Sequence, residues 1–201
     1  MVVRNGDADV HVGRLIALLQ YLWTYLVLRL GLRWRGIALV VGILVSVGLF
    51  VYGRVRGKAV GTGRLVSAGL FATYVVVVVA AMVIVSPRLP SRIAYFDVIG
   101  RLWRIFEGGR AFDPEPLANM LLLVPVGILL PSATGSGLRR TLLFSLLLNR
   151  DVEAAQYLWS RGQCEPADIV LNVFGVLVGY GVWSLAHVVS GRRRRQLRHM
   201  R

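Results

Sequence analysis

The sequence contains one cysteine, Cys164, one lysine, Lys58, three histidines and ten acidic residues. A single cysteine excludes an intrachain disulfide. His11, His187 and His199 are scattered, and none stands at ligand spacing from the cysteine, so no metal centre is expected. Nothing in the pattern calls for a cofactor, and no long low-complexity segment is present. Asp7 and Asp9 precede the first apolar run and no small-residue cleavage pattern follows it, so that run is expected to stay in the protein.

Apolar sequence is abundant. Of 201 residues, 56% are hydrophobic, and the mean hydropathy is +0.63, well above that of a soluble domain. The implied fold is all-α, a polytopic transmembrane helical bundle. The net charge of +14 is carried almost entirely by arginines that lie between apolar runs and in the terminal tail. Anionic headgroups of membrane lipids, not nucleic acid, are the partners for such a distribution. Oligomeric state is not encoded in any recognisable pattern.

A helix needs about 20 largely apolar residues to cross the hydrocarbon core. Candidate spans run over residues 15–30, 36–52, 65–85, 117–131, 139–159 and 167–189, about six in all. Ser86, Pro87 and Pro90 end the third. Residues 92–108 set Asp97, Arg101 and Arg104 against Tyr95, Trp103 and Phe106, the pattern of an amphipathic helix lying on the outer surface. Three parts follow: residues 1–64, an N-terminal helix pair with a basic inner loop; residues 65–190, the main transmembrane domain; and residues 191–201, a basic tail. Counting arginines near the span ends puts both termini in the cytoplasm, with Arg54, Arg56, Lys58, Arg64, Arg139 and Arg140 on the same side. Arg33 and Arg35 alone oppose that orientation.

Polar residues enter the apolar spans at helical spacing. Ser145, Asn149, Glu153, Gln156 and Ser160 recur at steps of four and three, on one face of one helix. Asp168, Asn172, Gly175 and Gly179 repeat the pattern on the next. With the expected topology Asn119, Glu153, Gln156, Asp168, Asn172 and the loop residue Arg161 gather at the outer leaflet. Carboxylates at membrane depth are costly and mark functional sites by default.

At these residues the chain resembles the VanZ-like family of bacterial membrane proteins. The first stretch is NMLLLVPVGILLP, carrying Asn119, Pro125, Gly127 and Pro131. The second runs from Ser145, Glu153 and Gln156 through Arg161 to Asp168, Asn172, Gly175 and Gly179, within DIVLNVFGVLVGYG. The likeness extends over roughly residues 85–190, with Leu123 where an aromatic is usual and a slightly longer RGQCEPAD segment. It implies an integral protein of the bacterial plasma membrane with a cell-envelope role, since founding members are associated with low-level resistance to the glycopeptide teicoplanin. It supplies no reaction.

Each candidate residue has a structural and a functional reading. Glu153 and Asp168 fit a general acid and base, or oxygen ligands of a hard cation such as Mg²⁺ together with Gln156 and Asn172. Equally, Asp168 fits the first turn of its helix while Arg161 neutralises Glu153. Asn119, Gln156, Arg161 and Asn172 suit ligand binding, although buried amides more often bond across helices. Pro125 and Gly127 bend and thin the fourth span, and Gly175 and Gly179 form a small-xxx-small crossing. Cys164, beside Arg161 alone among cations, reads as an inert thiol. The function expected is an outward-facing polar pocket for a lipid-linked cell-wall precursor or glycopeptide-like molecule. An enzyme acting on such a lipid, or a structural, partner-binding protein, is the alternative.

Overall fold

A computed structural model describes residues 5–24, 31–86, 88, 90–91, 97–100, 103, 114–161 and 166–199. The described residues are mostly helical, joined by short turns. Six helices follow in order: α1 (Asn5–Trp23), α2 (Leu32–Val55), α3 (Thr62–Val79), α4 (Glu115–Thr134), α5 (Leu138–Leu158) and α6 (Pro166–His199). α3 runs on without a break into a π-helical turn, Ala80–Val85. Of the expected surface helix only fragments are described, a helical turn in which Asp97 Oδ1 accepts the Gly100 N–H at 2.9 Å and exposed Trp103; the rest, like Cys164, lies outside the described residues.

Four of these helices are long and apolar enough to cross a membrane: Leu32–Val55, Thr62–Ile84, Leu117–Thr134 and Pro166–Ser190. That count corrects the expectation of about six. α1 begins at Asn5 rather than near residue 15, and its apolar stretch is only Val12–Tyr21. α5 has the length but carries Arg139, Arg140, Arg150, Asp151 and Glu153. α5 nevertheless runs the length of the bundle, for a geometric reason. Gly175 of α6 abuts Met120 of α4, and Gly179 abuts Val124 and Gly127, so α4 and α6 are parallel. The helix joining them must return antiparallel to both. Its ends confirm this: Phe144 packs on Phe71 of α3 with ring centroids 5.5 Å apart, and Gln156, three turns on, meets Met82.

Glycine makes the α4 and α6 contact possible. A Cβ on Gly127, Gly175 or Gly179 would collide with the facing backbone, so the two helices touch main chain to main chain. Gly42 and Gly69 do the same between α2 and α3. Around these crossings lies the apolar core, built from Val78, Met82, Val83, Leu122, Leu123, Val126, Val152 and Val176. Pro125 has no N–H for the Leu121 carbonyl; next to that break, Leu122 O accepts the Tyr74 hydroxyl at 2.7 Å.

Exposure is inverted relative to a soluble protein. On α5 the buried side carries Thr141, Ser145, Asn149, Glu153 and Gln156, while Leu143, Leu146, Leu147 and Leu158 face outward. The Arg150–Asp151 ion pair, at 2.7 Å, interrupts that outer face, and Arg139 and Arg140 are exposed at its start. Lipid is the surrounding in which such a helix is stable, because outside it the apolar face would have no partner. Arg54, Arg56, Lys58, Arg64, Arg139 and Arg140 lie at one end of the bundle; Asn119, Gln156 and Asp168 lie at the other, where Arg33, Arg35, Arg88 and Arg161 also stand. α6 extends past its apolar part through the arginine run to His199, so the expected tail is a continuation of the helix.

Candidate functional site

The polar end is assembled from four elements. α5 contributes a stripe at steps of four and three, fully inside the protein from Thr141 to Gln156. Thr141 belongs to it although it was not among the expected residues; its signal is the same spacing, one step upstream of Ser145. α6 contributes Asp168 in its first turn and Asn172 one turn later. α4 contributes Asn119, and the π-helical end of α3 contributes main-chain oxygens.

Two amides link α5 to α6 in a chain whose direction is fixed. Asn149 Nδ2 donates to the Ser145 carbonyl at 2.8 Å and to Ser145 Oγ at 3.2 Å. A carbonyl only accepts, so the Asn149 nitrogen must face it and its Oδ1 must face away. That oxygen accepts Asn172 Nδ2 at 2.8 Å. Asn172 Oδ1 is therefore left pointing onward as an acceptor. Asn172 is only 1% exposed, and this oxygen has no hydrogen-bond donor among the described residues. A buried acceptor left in that state costs about 1–3 kcal/mol, so it marks a position where a donor is wanted.

The other polar residues divide into two groups. Asn119 Nδ2 donates to Asp168 Oδ2 at 3.2 Å, tying α4 to the first turn of α6, where a carboxylate also suits the helix dipole. Glu153 is buried on α5 between Asn149 and Gln156. These acidic groups and Asn172 Oδ1 make this end rich in acceptors.

Gln156 and Arg161 do something different. The π-helical turn is followed directly by Ser86, with extended backbone, so its last carbonyls lack ordinary helical donors. Gln156 Nε2 donates to Met82 O at 2.9 Å, and Ser86 Oγ donates to the same oxygen at 2.6 Å. Arg161 donates to Ile84 O, with a longer contact of 3.4 Å to Ser86 O, and pairs with Arg88 in an isolated antiparallel bridge. Arg161 thus acts as a cation at the C-terminal end of α3. Ser160, expected on the polar face of α5, lies beyond its end with φ of 52°, and Arg161 N–H reaches back to Gln156 O at 2.9 Å. The helix ends there in a left-handed residue, which lifts Ser160 off the stripe.

Gly127, Gly175 and Gly179 stand at the crossing described above, and Pro125 lies inside α4. Among the described residues no group of three or more His, Cys, Asp or Glu side chains is placed to hold a metal ion.

With this geometry in view, the comparisons with known proteins can be stated. The VanZ/LLP1 family model matches residues 65–187, which is α3 to α6 and includes every residue of the polar end. The chain belongs to the VanZ/LLP1 family. Neither the curated proteins nor the solved structures compared with it give a match. The matched region of this VanZ-like membrane protein starts within α3; α1 and α2 precede it, and α2 packs on α3 at Gly42 and Gly69.

Proposed function

We propose that the polar end faces outward from a bacterial plasma membrane and binds the donor-rich part of a cell-envelope molecule, a lipid-linked wall precursor or a glycopeptide-like ligand. The observation that carries this reading is the open, buried acceptor Asn172 Oδ1, held in place through Asn149 and flanked on α6 by the Asp168 carboxylate. Acceptors in such an arrangement select partners bearing hydroxyl, amine or amide hydrogens, which sugar and peptide portions of envelope molecules supply. Outward orientation is supported by the basic residues at the opposite end of the bundle. The association of the VanZ-like family with teicoplanin resistance adds the envelope context.

The test uses a teicoplanin-susceptible bacterium expressing the full chain. Wild type is expected to raise the inhibitory concentration, and Glu153→Gln and Asp168→Asn to abolish the increase at equal membrane levels. Saturable binding of teicoplanin or a lipid-linked precursor to the purified chain in nanodiscs would support the reading further. Variants that fold and leave susceptibility, envelope composition and binding unchanged would sink it.

A further inference from the structure

The opposite end of the bundle holds a cavity of about 800 Å³ between α2, α3, the end of α4 and the start of α5. Its walls are apolar, with Leu49, Phe71, Val75 and Phe144 among them, and its polar mouth carries Lys58 and Arg64. A second pocket of about 450 Å³ adjoins it, sharing Gly53, Lys58, Ala59 and Val60 and adding Arg54. The mouth also includes Gly61, the residue before α3, and no side chain caps that helix end. Three cations and a free helix N-terminus at one end of an apolar slot describe an amphiphile with a negative head.

Length narrows the class. From Arg64 to Val75 the slot follows α3 for 11 residues, about 17 Å at 1.5 Å per residue. Half of a hydrocarbon core is about 15 Å, so the slot is as deep as one leaflet. Its volume lies within the range of roughly 300–1,000 Å³ typical of ligand sites. Arg64 also reaches Thr134 O at 3.4 Å, which holds its guanidinium at the mouth where α4 ends.

We infer that this slot is a specific site for one anionic phospholipid of the leaflet at the basic end, with its phosphate at Lys58, Arg64 and the start of α3 and an acyl chain along α3 past Phe71. It is separate from the polar end and independent of what binds there. Charge complementarity selects the head, and the depth selects a leaflet lipid over a soluble anion.

The experiment is native mass spectrometry of the full chain, released from detergent after incubation with phosphatidylglycerol or phosphatidylcholine. Wild type is expected to retain one phosphatidylglycerol per chain in preference to phosphatidylcholine. K58Q/R64Q is expected to lose about tenfold in phosphatidylglycerol retention with phosphatidylcholine unchanged. Ala72→Phe, which fills the slot from α3, is expected to abolish retention while leaving the basic mouth intact. Should the double variant lose helical circular dichroism, Lys58→Gln alone, in the exposed loop, carries the test with a loss of several-fold. Equal retention of the two lipids, unchanged retention by the folded mouth variants or by Ala72→Phe, or displacement by inorganic phosphate alone would each overturn the proposal. E153Q and D168N at the polar end are expected to leave lipid retention as in wild type, so the two readings fail separately.

Discussion

Asn172 illustrates how much of a buried amide's role depends on its neighbours. Spacing placed it on the same face as Asp168, and that placement holds. What spacing does not carry is direction: only the Ser145 carbonyl, two hydrogen bonds away, decides which end of the Asn172 amide stays open. Asn172→Leu removes one interhelical bond and leaves Asn149 Oδ1 without its donor. The expected loss of stability is about 0.6–2 kcal/mol, read as a lower unfolding midpoint of the purified protein in detergent. A midpoint equal to that of wild type would mean that the bond contributes nothing in the folded state. Gln156 and Arg161 were legible as polar residues near the site but not as donors to Met82 and Ile84, because main-chain acceptors announce themselves in no side chain.

Among the elements, those bounded by strong signals were read well. α3 and its π-helical turn end at Val85, just before Ser86, as expected; α4 runs on through Pro131, where the fourth span was expected to end, and Gly135, with φ of 73°, ends it by giving its N–H to Pro131 O at 2.8 Å. Boundaries without such signals shifted. α6 continues to His199 because arginine is a good helix former and no breaker stands in the run. α5 stops at Leu158 although Ser160 continues its spacing, since the left-handed turn precedes Arg161. That turn gives a prediction for the element. An L-residue in the left-handed region costs about 1–2 kcal/mol, and glycine's extra freedom in the unfolded chain returns about 0.5–1 kcal/mol of that. Ser160→Gly is therefore expected to stabilise the protein by about 0.5–1 kcal/mol, as a raised unfolding midpoint. A fall instead would show that the Ser160 side chain holds the α5 end.

For the whole molecule, the all-α bundle and its family were legible, while the parallel pairing of α4 with α6 was visible only in part. Gly127, Gly175 and Gly179 promised a close crossing, but which helix met which depends on long-range packing. Orientation is testable at this scale in intact cells, with single cysteines at positions 58, 119 and 168 in a Cys164→Ser background. An impermeant thiol reagent is expected to reach 119 and 168 and to spare 58. Labelling of 58 with protection of the other two would invert the molecule.

The hold on the end of α3 has a consequence for how freely the sequence can drift. Gln156 and Arg161 grip the oxygens of Met82, Ile84 and Ser86, atoms that every amino acid possesses. Substitution at those three positions leaves the gripped atoms in place, whereas no other residue type reproduces the reach and donors of Gln156 or the fork of Arg161. The dependence is thus one-sided: the gripped oxygens survive a change of side chain at the π-helical tip, whereas a change at Gln156 or Arg161 removes the donor itself.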